Sequence, residues 1–186
     1  MKAFARRGYR ETGTADIAGE IGISEPTLYR YFENKRELYL ECVEQASREI
    51  LDHWRGIAEE SPTPVDALLA LGMWYFEDLQ RDTSHLMLRA RAEVETDDPD
   101  VKAKLRSLLL ETFDFIHGLY EDAQKQGLVG EHVDLASRTW LFIGLGSLID
   151  RTELLTVRDR LDLDELAKVI ASLAPELVPS GAKAPG

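Results

Sequence analysis

The sequence has almost no cysteine. Cys42 stands alone in 186 residues, which excludes an intrachain disulfide and with it the stapled scaffolds of small secreted chains. Long hydrophobic runs are missing as well: none, Trp140 to Leu145 included, approaches the roughly 18 residues that cross a bilayer. The opening Met-Lys-Ala-Phe-Ala-Arg-Arg-Gly lacks the apolar centre of a secretion signal. These absences predict a cytoplasmic chain with no membrane partner.

Catalytic vocabulary is equally thin. There is no nucleophile elbow, no glycine-rich phosphate loop and no Cys-His set. The histidines are scattered, and Asp114-x-x-His117 is one half of a di-iron pattern that needs two such helices and further carboxylates. No catalytic residue, no metal and no cofactor are expected, and the chain is not expected to be an enzyme.

Positive charge is scarce overall, with a net charge of -12, and that opposes nucleic-acid binding because phosphates are met by Lys and Arg. Its distribution matters more than its sum. Residues 1 to 36 hold seven basic side chains (Lys2, Arg6, Arg7, Arg10, Arg30, Lys35, Arg36) against five acidic ones, the polarity of a nucleic-acid-facing end. The acidic surplus belongs to the rest of the chain.

What is present is helix. With 44% hydrophobic and 30% charged residues the chain is globular, and no alternating strand pattern occurs. Glycine, proline and capping residues divide it into about nine helices, giving an all-α class. The first ends at Gly8; Thr14 opens a second that stops at Gly22; Ser24 caps a third running to near Asn34. A long helix from Lys35 to about Glu59 is broken by Ser61-Pro-Thr-Pro64. Segments follow at Val65 to Arg81, Ser84 to Glu95, Pro99 to Gln126, Asp134 to Leu154 and Asp162 to about Leu173. The expected domains are a helix-turn-helix head over 1–38, a ligand-binding and dimerisation body over 39–178, and a disordered tail over 179–186.

Gly13 to Phe32 reads as two short helices joined by a tight turn. Thr14 can cap the first, and Ile17, Ala18 and Ile21 fall on one inward face. Gly22 supplies the backbone freedom of the turn and Ile23 plugs the gap beneath it. In the second helix Leu28 and Phe32 point inward, leaving Pro26, Thr27 and Arg30 outward with Glu25, Tyr29 and Tyr31 on the flanks. Those side chains suit a major groove: hydroxyls for phosphates and base edges, methyl groups for thymine, Arg for phosphate or guanine.

Phe4 with Gly8-Tyr9, Thr14-Ala-Asp-Ile-Ala, Gly22-Ile-Ser, Pro26-Thr-Leu-Tyr-Arg-Tyr-Phe and Asn34-Lys-Arg-Glu-Leu38 together resemble the DNA-binding end of the tetracycline-repressor (TetR) family. The resemblance implies that Thr14 and Lys35 grip phosphates while Glu25, Pro26, Thr27, Tyr29 and Tyr31 face the groove. Two departures predict weak DNA reading. The helix before Gly8 is short where the family has a longer one and a basic arm, which leaves a native start upstream of Met1 open. The Glu25 carboxylate repels phosphate, although it can accept from cytosine N4.

In the body, Met73, Trp74, Met87, Phe113, His117 and Trp140 are candidates for an effector pocket, against the plain alternative that such residues are core. The apolar stretch Trp140 to Ile149 needs cover on two sides, and its small Gly144, Gly146 and Ser147 permit close helix packing. Trp140, Ile143, Leu145, Ser147 and Leu148, with Leu166, Ile170 and Leu173 of the last helix, form the expected dimer seam, which by resemblance is a twofold four-helix bundle. The implied function is a ligand-responsive regulator, a repressor released from palindromic operator DNA by a small-molecule effector through the long Lys35 helix. The alternative is an all-α small-molecule or protein-binding module without operator binding.

Overall fold

The computed structural model describes residues 1–78, 83–95, 97–162, 164–166 and 168. Among these there are eight α-helices, α1 Lys2–Glu11, α2 Thr14–Glu20, α3 Glu25–Leu28, α4 Lys35–Glu60, α5 Pro64–Asp78, α6 Ser84–Glu95, α7 Pro99–Lys125 and α8 Leu135–Leu154, and a 3-10 turn, Arg158–Arg160. No strand occurs among the described residues. Ile170 and Leu173, most of the expected last helix and the tail lie outside the described residues.

Helix starts follow the capping residues. Asn34 accepts from the Glu37 amide at 2.9 Å and opens α4; Thr63 accepts from the Asp66 amide at 3.1 Å and opens α5. Asp98 accepts from the Asp100 and Val101 amides at 2.9 and 3.3 Å and opens α7; Asp134 accepts from Ala136 and Ser137 at 3.1 and 3.3 Å and opens α8. Each cap satisfies amides that have no partner within their own helix. Pro64 and Pro99 follow two of these caps directly, where a missing N–H costs nothing.

The chain forms two compact units: Met1–His53 with the described part of Arg81–Leu110, and the described parts of Trp54–Gln80 and Glu111–Gly186. The first unit's core joins Phe4, Ile17, Ala18, Leu28, Leu38, Tyr39, Val43, Leu88 and Val101. Three rings brace it, Phe4 edge-on to Tyr39 at 5.0 Å and Tyr9 against Tyr39 at 4.9 Å. Burial pushes the Tyr39 phenol well above its ordinary range, with the Glu95 charge adding to the effect.

Gly8 bends α1 instead of ending it. Its φ is +73°, a left-handed value, and a further helical turn follows to Glu11. The buried Thr12 hydroxyl donates to the Gly8 carbonyl at 2.7 Å, satisfying an acceptor at the bend. Arg91 of α6 donates to the Ala5 carbonyl at 2.8 Å, and a Cβ on Gly8 would collide with the Glu95 carboxylate. The bend is therefore where α6 packs on α1.

The two-helix unit differs in three details from its sequence pattern. Gly13 is the N-cap of α2, so Thr14 is already the first helical residue and its hydroxyl is not a cap. Ile21 is 60% exposed: it is the C-cap of α2, its amide still reaching the Ile17 carbonyl at 3.3 Å, and its side chain stands outside the core. Regular α-helix in α3 stops at Leu28, and single turns carry the chain to Phe32. The turn itself is as expected: Gly22 has φ +73°, the Ile23 amide reaches back to the Ala18 carbonyl at 2.9 Å, and Ile23 packs on the core.

Candidate nucleic-acid interface and effector site

Ser24 caps α3, its hydroxyl accepting from the Thr27 amide at 3.3 Å and sharing a 2.8 Å hydrogen bond with the Thr27 hydroxyl. Leu28 is buried and Phe32 packs partly on the core, which turns the opposite face outward. Pro26 and Arg30 are exposed there, with Tyr29 44% and Tyr31 73% exposed. Both tyrosines lie past the end of α3, on the turns that lead toward Phe32. Thr27 and Glu25 are half-buried at the same end.

Lys35 starts α4 and turns its ammonium to α1. Its ammonium lies 4.6 Å from the centre of the Tyr9 ring and donates to the Arg10 carbonyl at 3.4 Å. Thr14 donates its hydroxyl hydrogen to the Glu25 carboxylate and lies 3.1 Å from the Tyr29 hydroxyl. The eight residues Thr14, Glu25, Pro26, Thr27, Tyr29, Arg30, Tyr31 and Lys35 thus belong to one compact unit, three of them linked directly.

The basic side chains of this end are mostly spoken for. Arg6 pairs with Glu20, Arg7 lies 3.4 Å from Asp16, and Arg10 lies 3.8 Å from Asp97. Arg36 binds Asp98 and Asp100, which raises the guanidinium further and holds the Asp98 carboxyl well below the usual carboxylate range. Tyr9, Arg10, Arg36, Tyr39, Glu95 and Asp98 are among the residues lining a cleft of about 200 Å³ whose two cations are already matched by acids. The sequence-level charge count could not reveal this pairing, because partners such as Arg36 and Asp98 are far apart in the chain.

In the second unit the pocket candidates divide. Phe113 stacks on His117 with centroids 5.3 Å apart and meets Trp140 at 4.8 Å. Thr139 spends its hydroxyl hydrogen on the Leu135 carbonyl at 2.8 Å, so in its 3.2 Å contact with His117 it accepts, and the histidine carries its hydrogen on Nδ1. Trp74 instead faces Trp54 at 6.4 Å, within a cluster completed by Tyr75 and Phe142. Met73 is 53% exposed. Met87 packs on the core of the first unit.

Sequence reasoning missed the residues at the centre of that cluster. Trp54 is 5% exposed and its Nε1 hydrogen meets no acceptor among the described residues. Tyr75 donates to the buried Asp150 at 2.5 Å, and Gly146 lies flat against the Tyr75 ring. The available signal was Asp150, a carboxylate closing the apolar run of α8. On the same helix Trp140, Leu141 and Leu148 are 45%, 48% and 46% exposed, while Ile143, Leu145 and Ser147 are half-buried; Leu166 is half-buried as well.

No described helix is long and apolar enough to cross a membrane, and no metal-ligating cluster occurs among the described residues. Residues 1–42 match the family model for bacterial regulatory proteins, tetR family. A fatty acid metabolism regulator of Bacillus subtilis is 20% identical over 144 residues, covering 77% of this chain and 74% of that protein. Further curated regulators match over 39% to 48% of their own length. Among solved structures, the Bacillus subtilis regulator FadR in complex with stearoyl-CoA superposes with a TM-score of 0.75 at 19% identity, covering 96% of this chain and 94% of that one. AibR in complex with isovaleryl coenzyme A and operator DNA gives 0.65 at 18% identity, covering 80% of each. At these identities the superpositions establish a shared fold.

Proposed function

We propose that this chain is a TetR-family regulator, a cytoplasmic homodimer that binds palindromic operator DNA through α2 and α3 and is released by a small-molecule effector held in the second unit. The observation that carries the reading is the outward face of α3. Pro26 and the half-buried Thr27 on α3, with Tyr29, Arg30 and Tyr31 exposed on the turns after it, surround the inward Leu28, and Lys35 opens the next helix. Thr27 and the tyrosines contact base edges, and Arg30 and Lys35 contact phosphate. The working division is a DNA-binding head over 1–38 and an effector and dimer body over 39–178.

The effector is an acyl-CoA thioester. The similarity to regulators of fatty acid metabolism and to structures holding stearoyl-CoA and isovaleryl coenzyme A supports that class. So does the aromatic cluster of Trp54, Trp74 and Phe142, whose buried indole hydrogen has no acceptor among the described residues and would suit a carbonyl. Dimerisation uses α8 with Leu166, Ile170 and Leu173, because large apolar side chains exposed on one helix are covered at the lowest cost by their own twofold copies.

Fluorescence anisotropy with a labelled fragment of the protein's own promoter tests both parts. Operator binding should be sequence-dependent and should weaken as salt rises. With Arg30 and Lys35 as the phosphate-facing cations, a dimer makes about four such contacts, giving a slope of log K on log salt near -3 to -4. Stearoyl-CoA or isovaleryl-CoA added to the complex should release the DNA. Binding without sequence preference removes the operator function, and release by neither thioester removes the effector class.

A further inference from the structure

The contacts between Thr14, Glu25 and Tyr29 fix the direction of every hydrogen in that corner. A carboxylate accepts only, and a threonine hydroxyl has one hydrogen to give. Thr14 gives it to Glu25. In the 3.1 Å contact between the Thr14 and Tyr29 hydroxyls, the donor must then be Tyr29. The relay runs one way, from tyrosine through threonine to glutamate.

After that accounting no hydroxyl hydrogen of the three is left for a ligand. The free lone pairs of Tyr29 and the second oxygen of Glu25 remain, and both accept. A phosphate offers only acceptors, so this corner cannot grip one through these side chains. Guanine N7 and O6 and thymine O4 are acceptors too. Cytosine N4 and adenine N6 are the major-groove groups that donate.

We propose that the Tyr29–Thr14–Glu25 relay makes this corner an acceptor-only reader, with Glu25 the specificity-determining residue that selects a cytosine or adenine amino group in the operator. It rests on the DNA-binding reading above and assigns Thr14 a new part: a positioning residue that aims Glu25, not a phosphate clamp. The carboxylate gives up general affinity and gains discrimination, because an acidic group near phosphates is tolerated only where a base donor meets it. Half-burial of Glu25 and Thr14 keeps the relay partly out of competing water.

The test measures binding of the full-length chain to a library of randomised operator half-sites. The wild type should prefer C or A at one or more positions, and E25A should lose that preference by about tenfold or more while binding arbitrary sequence at least as well. T14V should lose the same preference with arbitrary-sequence affinity retained, and T14S should restore it. If T14V instead weakens every sequence alike, Thr14 is a phosphate clamp and the relay is wrong. An unchanged base preference in E25A overturns Glu25 as the reader while leaving operator binding intact. A wild type with no sequence preference overturns the DNA-reading function and this proposal together. Circular dichroism and dimer mass, expected unchanged in all three variants, separate these outcomes from misfolding.

Discussion

The two compact units handle their unusual side chains in opposite ways. In the first, polar and charged groups near the reading face are matched within the chain: Arg6 and Arg7 to α2 acids, Thr14 to Glu25, Arg36 to Asp98 and Asp100. In the second, matching is left open at the exposed Trp140, Leu141 and Leu148 and the unmet Trp54 hydrogen. An interface for DNA has to hold its shape in water before the DNA arrives, so its groups are oriented in advance. A seam for a second copy is always covered in use. The contrast lies in the charges, which the first unit matches within the chain, and in the apolar side chains of α8, which the second unit leaves to be covered.

The largest expected effect breaks the first side of that contrast. Phe4 is fully buried and touches both Tyr9 and Tyr39. Phe4→Ala should cost about 3–5 kcal/mol of stability, measured by urea unfolding, because it removes a ring and leaves a cavity. Operator affinity should fall with it, since Leu28 beneath the reading face shares that core. A loss under about 1 kcal/mol would mean that α1 is not what supports α3.

The second side is tested at Leu148, nearly half exposed on α8. Leu148→Asp should leave the folded chain's circular dichroism unchanged and weaken the dimer by about 2 kcal/mol, roughly thirtyfold, in sedimentation velocity. Operator binding should drop more steeply than the dimer constant, because two reading heads bind as one. A dimer indifferent to the substitution moves the seam away from α8.

Much of this was legible in the chain because helix boundaries are written locally. Asn34, Thr63, Asp98 and Asp134 cap from within three residues, and Gly22 marks its turn with one position. The failures have a common cause. Ile21 has the right spacing for the buried face, yet it caps the end of α2 with its side chain exposed, and spacing carries no information on how far a core extends along a helix. Thr14 was a plausible cap on local grounds, but its partners are 11 and 15 residues away. The Gly8 bend is held by Arg91 and Glu95 of α6, which no local pattern names. The aromatic cluster of Trp54, Trp74 and Phe142 joins three helices, so the pocket candidate Trp74 could not be linked to Trp54 or Phe142 by spacing along the chain.

The smallest effect tests whether the first unit's charge matching contributes to folding at all. Asp98 keeps its charge to unusually low pH because the Arg36 guanidinium and two backbone amides bind the ionised form. A carboxyl depressed in the folded state adds stability above its unfolded value, near pH 4, and loses that contribution as pH falls toward the folded value. Wild type should therefore melt above Asp98→Asn at pH 7, by less than the stability lost in Phe4→Ala, with the gap narrowing steadily below about pH 4. Asparagine still caps α7, so the comparison isolates the charge. The pair is open to solvent, and salt should shrink the gap at pH 7 as well. A gap that widened on acidification would mean that Asp98 is strained by its neighbours, and that the polar matching of the first unit serves the position of α1 and α4 at a net cost to stability.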